Sequence, residues 1–419
     1  MKSIFKISFL VIFVQTSLCY AQGGMNVYRG NVNIVQGGGV QVLGDVEISL
    51  NTGIENNGDL HLTGDWVNNS QDSGLINQGE GNVALNGNYQ EISGDSPTYF
   101  STLILQTNQS VKASQIETYI TRFFQINDVI YQTNQFNTHV LNPTTNAVSW
   151  STGFIESSQL AGNILRSTNT DSSYFFPVGS QTISNNLRAI EVQPSSNDSN
   201  VFAVRLGVQD ASLEVGTSLA GSIAPFDRES KEITIGDINP IYYHNVSQPF
   251  GNQPADISLY HMSQDGNGAF TALAGWNVST SSWDEVSVSM NPVTSNLFLG
   301  NPDRKADFLL SANTNDDVYA LASLAVTAPT GFTPNGDGIN DVFFVKGLEN
   351  FPDNELYVYN RWGQLIYEAK PYANDWNGIN TSGAVKIQGD EVDEDTYFYI
   401  LKLSEDMDPI KNYVDIVKD

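Results

Sequence analysis

Three five-residue units near the N-terminus constrain the fold more than any other feature. Gly30-Asn-Val-Asn-Ile34, Gly44-Asp-Val-Glu-Ile48 and Gly58-Asp-Leu-His-Leu62 begin at positions 30, 44 and 58, a constant step of 14 residues. The third and fifth residues of each unit are apolar, so on a strand they share one face while the polar residue between them points the other way. Gly64-Asp-Trp66 and Gly81-Asn-Val-Ala-Leu85 echo the unit off register. Turn formers such as Gly37-Gly-Gly39 and Asn56-Asn-Gly58 lie between the units, and their Gly and Asn accept left-handed backbone angles. Units stacked at this step would build one continuous apolar seam. A short β-solenoid is therefore the first reading of residues 22–144 and a β-meander the second; both imply neighbour-only contacts and an elongated shape.

Period-two alternation continues along the whole chain, as in Ala203-Val-Arg-Leu206 and Leu356-Tyr-Val-Tyr359, and helical periodicity is hard to find. The class is all-β. From 145 to 312 the repeat is lost. Phe175-Phe-Pro-Val-Gly179, Arg188-Ala-Ile-Glu-Val192 and Val201-Phe-Ala-Val-Arg-Leu206 alternate there as paired strands of an irregular β-sandwich would, and Asp256–Tyr260, Trp283–Val288 and Leu297–Leu299 continue the pattern. Trp276 and Trp283 fit either a sugar platform or the sandwich core. Residues 313–326, opening on the polar Ser311–Asp317 run and passing through a short strand from Leu321, read as a linker to a last domain at 327–419.

The N-terminus carries an export pattern over residues 1–21. Lys2 and Lys6 precede an apolar run, Ile7 to Val14, too short to span a bilayer, and Cys19-Tyr20-Ala21 places small residues before a cleavage point between Ala21 and Gln22. Leu18 stands where a lipoprotein signal has a small residue before its cysteine. Cleavage would remove Cys19, the single cysteine, and take the formal charge from -27 to -29 by removing Lys2 and Lys6. No disulfide would then hold the mature chain. Such an acidic chain lacks the basic footprint that nucleic acid and anionic lipid require, and no later stretch reaches the roughly 18 apolar residues of a membrane-spanning helix.

Catalytic constellations are missing from the sequence. His61, His139, His244 and His261 are far apart and form no metal-ligating pair. Gly216-Thr-Ser-Leu-Ala-Gly221 approaches a nucleophile elbow but has Ala220 where the second glycine belongs. Between Gln22 and Val111 the sole basic residue is Arg29, so a lyase for acidic polysaccharides, which needs a carboxylate-neutralising cation close to its base, is not expected in this segment. Asp45, Glu47, Asp59 and Asp65 would supply a hydrolase's carboxylates, or simply solvate an outer face.

Four ordered blocks mark the C-terminus. The first is Gly331-Phe-Thr-Pro-Asn-Gly-Asp-Gly-Ile-Asn-Asp341, which contains Phe332, Pro334, Asn335, Asp337, Gly338, Asn340 and Asp341. Gly347-Leu-Glu-Asn-Phe-Pro352 follows, then Leu356-Tyr-Val-Tyr-Asn-Arg-Trp-Gly363 with Tyr359, Asn360, Arg361, Trp362 and Gly363. Tyr372-Ala-Asn-Asp-Trp-Asn-Gly378 closes the series with Asn374, Asp375, Trp376 and Gly378. Together they resemble the gliding-motility-associated C-terminal domain, the type B sorting signal of the type IX secretion system. That resemblance implies a small immunoglobulin-like β-sandwich, recognised at the outer membrane by the type IX machinery and an outer-membrane partner protein, which drives translocation to the surface or medium.

From the residues alone, Trp362 reads as a large apolar anchor at a hairpin end, with Arg361 stacked on the aromatics or paired with a carboxylate such as Asp375. Asn335, Asp337 and Asp341 offer an incomplete calcium loop, which Asx turns explain equally without metal. Two features depart from the family pattern: the acidic run Asp390–Asp395, expected as a solvated loop, and the ending Tyr413-Val-Asp-Ile-Val-Lys-Asp419. The expected function is an exported structural or adhesin-like surface protein with no cofactor beyond possible calcium and with surface glycans as candidate ligands. The alternative is a secreted carbohydrate hydrolase carrying the same sorting domain, distinguished by a convergent carboxylate pair with aromatic neighbours.

Overall fold

The computed structural model describes residues 5–7, 18–28, 30–70, 79–107, 109–157, 162–213, 226–268, 270–287, 290–293, 302–311, 317–381, 391–405 and 407–418. Among them only short 3-10 turns interrupt the strands, and no helix is long and apolar enough to cross a membrane. The chain forms two compact units, one of residues 1–227, 240–262 and 290–320, the other of 228–239, 263–289 and 321–419.

The first unit begins as a parallel β-solenoid with two long sheets. One stacks Met25–Val27, Val46–Ile48, Trp66–Asn68, Tyr89–Gly94, Val111–Ser114, Ile130–Gln132 and Phe154–Glu156. The other stacks Gly39–Leu43, Asp59–Leu62, Asn82–Leu85, Thr98–Leu105, Thr118–Asn127, Thr138–Val140 and Ile164–Thr168. A short third pair, Asn31–Ile34 with Gly53–Asn56, closes the first coils.

The stacking step differs from the 14 residues of the sequence repeat. Gly39 pairs with Asp59, 20 residues on, Met25 with Val46, 21 on, and Asn31 with Gly53, 22 on. The three repeat units therefore fall on three different faces of the coil, one in each sheet. Val32, Ile34, Val46, Ile48, Leu60 and Leu62 all point inward and are buried, as alternation requires. The unit that stacks on Gly44-Asp-Val is Gly64-Asp-Trp, with Val46 registered on Trp66. Alternation encodes inward against outward, which is common to every face, and it carries no information about which face a strand joins.

Close approach of successive coils explains the glycines. A Cβ on Gly64 would lie 2.4 Å from the Gly44 carbonyl carbon and 2.5 Å from Asp45 N, and one on Gly44 would lie 2.6 Å from Gly24 N. The corner thus tolerates no side chain at 44 or 64. The adjoining aspartates tie coil to coil: Asp45 Oδ1 accepts the Asp65 N–H at 2.9 Å, and Asp65 Oδ1 accepts the Glu91 N–H at 2.8 Å.

Ile164–Thr168, the last solenoid strand, pairs in parallel with Thr138–Val140 and antiparallel with Asn200–Gly207. Through it the solenoid sheet runs into the sandwich, continuing with Tyr243–Phe250 and the start of Asp317–Leu324. A second sheet of five orders Tyr174–Phe176, Ile190–Pro194, Ala255–His261, Arg304–Leu310 and Met290–Pro292. The alternating runs at 188–192 and 201–206 thus belong to different sheets rather than to one hairpin. Phe202, Val204, Leu206, Val246, Ile190, Val192, Ile257 and Leu259 are buried, and the Phe308 and Tyr319 rings meet across the layers at 4.4 Å. Arg166 is fully buried without a carboxylate partner: it donates to the Phe175, Thr144 and Thr145 carbonyls and lies over the rings of Tyr174 and Phe176.

In the second unit, Ile235–Ile238 pairs with the end of Asp317–Leu324, and Ala272–Asn277 forms a hairpin with Ser282–Ser287. The stretch expected as a linker, 313–326, carries that eight-residue strand, with Val318 to Ala322 buried. Trp276 and Trp283 are cross-strand partners in the hairpin, and Trp283 is fully buried, so the two do not form a sugar platform. The C-terminal segment forms a five-stranded sheet in the order Gly331–Phe332, Ile410–Ile416, Asp395–Lys402, Glu355–Tyr359, Leu365–Ala369. Its inner face, with Leu356, Val358, Tyr397, Tyr399, Leu401 and Val414, is covered by an irregular layer bearing Phe343, Tyr372 and Trp376. Backbone bridges at Thr327–Lys346 and Ile379–Glu391 fasten that layer.

Candidate functional site

The four C-terminal blocks converge on this small domain, each with its own task. Trp376 is the centre of the core: its ring lies 5.3 Å from Phe332, 5.7 Å from Tyr367 and 6.2 Å from both Phe343 and Tyr397, and its Nε1 donates to the Ile379 carbonyl at 3.0 Å. Asn374, held at φ 60, imitates a strand partner; its Oδ1 accepts the Val345 N–H at 2.8 Å and its Nδ2 donates to the Val345 carbonyl at 3.0 Å. Asp375 accepts the Tyr367 hydroxyl at 3.0 Å. Burial and that carboxylate together push the Tyr367 hydroxyl well above the usual tyrosine range, so it remains a donor.

Asn360 closes the hairpin between Glu355–Tyr359 and Leu365–Ala369. Its Oδ1 accepts the N–H groups of Trp362 and Gln364, both at 3.0 Å, and Gly363 takes the positive φ of 76 that the turn needs. Trp362, expected as an anchor, is instead 72% exposed. The Arg361 guanidinium lies over its ring at 5.1 Å and pairs with Asp395, not with Asp375. Trp362 lies in the turn between the two strands, where no layer covers the indole.

The Asn335–Asp341 loop is organised by its own backbone. Asp341 accepts the Gly336 N–H at 2.6 Å through one oxygen and the Gly338 N–H at 2.7 Å through the other. Asp337 Oδ1 accepts the Ile339 N–H at 2.8 Å, and Asn335 Oδ1 accepts the Asp337 N–H at 3.0 Å. Asn340, at φ 55, directs its carbonyl to the Thr333 N–H. Each oxygen offered for calcium thus faces an amide proton, the pattern of successive Asx turns. Among the described residues no cluster of three His, Cys, Asp or Glu is placed to hold a metal. Of the acidic run, Glu391, Asp393 and Glu394 are exposed around a buried Val392, while Asp390 lies outside the described residues.

A second candidate lies on the outer face of the five-stranded sandwich sheet. Strand register places Glu191, Ser258 and Asp307 side by side, with Gln193, Asp256 and Leu309 in the next row, lining a hollow of about 450 Å³. Ser258 donates to Asp307 at 2.5 Å, Lys305 pairs with Asp307 at 3.0 Å, and Asn291 Nδ2 donates to its other oxygen at 2.9 Å. Tyr260, buried and packed against the partly buried Phe175 and Trp150, donates to Glu191 at 2.6 Å from beside the hollow. Burial raises the Asp307 pKa, yet the bonds from Ser258, Lys305 and Asn291 outweigh it and hold the carboxyl below its usual range. Sequence reasoning missed this cluster because its members come from three strands separated by more than a hundred residues.

Elsewhere the candidate groups act in the scaffold. Glu47 accepts Asn26 Nδ2 at 2.7 Å and Asp59 accepts Asn82 Nδ2 at 2.8 Å, so these carboxylates, like Asp45 and Asp65, bind neighbouring coils. Tyr99, Tyr119 and His139 stack on consecutive rungs at 4.6 and 4.3 Å, nearly parallel, so each ring face is covered by the next. His139 also meets Glu117 at 2.7 Å. Ala21 and Gln22 end the strand Leu18–Gln22, which pairs with Gly39–Leu43. Residues 8–17, most of the apolar run, the elbow-like Gly216–Gly221, and Leu297–Leu299 lie outside the described residues.

Comparison with known families agrees with the C-terminal geometry. Residues 326–416 match the CHU_C Type IX secretion signal domain. No curated protein and no solved structure matches the chain. The sorting domain marks a protein exported across the outer membrane to the extracellular space or the outer cell surface.

Proposed function

We propose that the exported chain is an adhesin-like surface protein: a β-solenoid stalk and a sandwich module that binds surface glycans in the hollow beside Tyr260, delivered by the C-terminal domain. The observation that supports binding is the row Glu191, Ser258, Asp307 lining one hollow with Gln193, Asp256 and Phe308, since sugar recognition combines polar groups at fixed spacing with apolar surface. A cleavage between Ala21 and Gln22 fits the same route.

The hydrolase alternative has one observation in its favour. Glu191 and Asp307 are two strands apart, so their backbones are separated by about 10 Å, within reach of a carboxyl spacing that suits an inverting glycosidase. Catalysis needs one carboxyl kept protonated near neutrality beside an ionised one, and Asp307, held below its usual range, suits only the ionised role. A binding groove follows better from these groups than an acid–base pair.

The export reading is tested by truncating the chain before residue 326 in its native host and fractionating the cells. Retention in the periplasm is the expected result, and full delivery to surface or medium would refute it. For the cargo, the purified full chain is applied to a glycan array beside a Glu191→Gln, Asp307→Asn variant. Binding to a defined sugar class, weakened in the variant, is expected; silence across the array refutes the adhesive reading, and release of reducing ends from a bound polysaccharide would establish the hydrolase.

A further inference from the structure

The core of the C-terminal domain is complete without several of its aromatic residues. Phe343, Trp376, Tyr397 and Tyr399 fill the inner face and are at most 5% exposed, whereas Trp362, Phe398 and Tyr413 are 72%, 50% and 45% exposed. Tyr359 registers on Phe398 and Phe398 on Tyr413, so the three cross the outer face of the sheet as one row, and Arg361, which lines a groove along that row, carries the exposed Trp362 ring at the hairpin tip against its guanidinium. Such a row on a solvated sheet face costs solubility, and exposed apolar patches of this kind mark interaction sites.

The tip is held in place before anything binds. Asn360 fixes the Trp362 N–H, Arg361 lies over the indole, and Asp395 pins Arg361. Side chains already ordered lose little entropy on association. The groove along the row has a volume of about 640 Å³, and among the described residues that line it the ionisable side chains other than tyrosine are Arg361 and Lys411, with no carboxylate, in a chain with 46 acidic residues against 19 basic.

We infer that this aromatic row with the Trp362 tip is the surface by which the sorting domain docks on the outer-membrane partner of the secretion machinery, and that the partner presents an apolar ridge flanked by a carboxylate complementary to Lys411. The inference rests on the export reading above and names the face that the reading leaves open. The chain's net charge of -27 disfavours an anionic lipid or nucleic acid as occupant.

The test is made in the native host with the full chain. A Trp362→Ala, Phe398→Thr variant is expected to reach the surface at least tenfold less than wild type and to collect in the periplasm, as truncation of hot-spot aromatics does to interfaces generally. Lys411→Glu is expected to give a smaller loss in the same direction. Phe344→Ser, which removes a 55% exposed apolar side chain outside the groove, is expected to be delivered normally. The purified double variant should melt as wild type does; if it does not, Lys411→Glu, which removes no apolar side chain, decides the question.

Delivery of the double variant and of Lys411→Glu in wild-type amount, while the chain truncated before residue 326 is retained, overturns the docking surface and leaves the export reading intact. Delivery of the truncated chain overturns both. Equal loss in Phe344→Ser removes the assignment to this face. A concentration-dependent dimer of wild type that the double variant abolishes in sedimentation, with normal delivery, assigns the face to self-association instead.

Discussion

Lys112 offers the sharpest test of how the solenoid interior is built. Its side chain is fully buried, between Gln90 on one rung and Tyr131 on the next, and its Nζ donates to the Gly87 carbonyl without a carboxylate partner. Desolvation lowers its pKa from 10.5 to about 8. Tyr131, buried and bonded to Thr138 at 2.9 Å, has its hydroxyl pKa raised by the same desolvation and stays neutral beside it. The folded chain therefore binds this proton less tightly than the unfolded chain does. Its cost is complete below about pH 8 and is relieved as the pH rises toward the unfolded value, so this residue makes stability increase with pH in that window.

A fall of that size corresponds to about 3 kcal/mol of penalty near pH 7. Lys112→Met removes the penalty but orphans the Gly87 carbonyl, at about 1–2 kcal/mol. The variant should then be about 1–2 kcal/mol more stable near pH 7, and its advantage should shrink by about 2 kcal/mol by about pH 9.5, where the wild-type amine is neutral. Urea melts of both proteins at the two pH values, followed by far-UV circular dichroism, measure this as a difference in which other titrating groups cancel. An advantage that does not change with pH would refute the reasoning, because it would show that the amine carries no buried charge.

Other outcomes follow from the same geometry. Gly64→Ala places a methyl 2.4 Å from the Gly44 carbonyl carbon, and backbone that close cannot step aside cheaply; a loss of about 3 kcal/mol in urea melts is expected. Trp376→Ala should cost about 3–5 kcal/mol of the C-terminal domain's stability, whereas Trp362→Ala should change it by no more than about 0.5 kcal/mol; equal losses in thermal melts would return Trp362 to the role of anchor. Calcium titrated into the purified chain should leave its melting temperature unchanged, since the Asn335–Asp341 oxygens face backbone amides, and a saturable rise lost in Asp341→Ala would restore the calcium loop.

Much of this protein was legible in the order of its residues. Alternation gave the all-β class and named the inward side chains of the first coils, because in a strand side-chain direction is a strictly local property. The C-terminal blocks were legible for the same reason: Asn360, Gly363 and Gly378 serve turns whose geometry is complete within a few residues. What the sequence left undetermined involves partners distant along the chain. The 14-residue step coincided with no rung, because the partner of Val46 is fixed by how far the intervening turns carry the backbone, and that brings Trp66 beneath it. Trp362 and Trp376 sit in similar Trp and Gly surroundings, yet only one has a layer opposite it to enter. The row Glu191, Ser258, Asp307 exists only through register across three strands, where no periodicity within one strand could announce it. The sequence by itself determined which way each side chain faces and where the chain turns; the tertiary structure decided what each face meets, since burial and charge depend on neighbours that backbone closure, not local propensity, brings together.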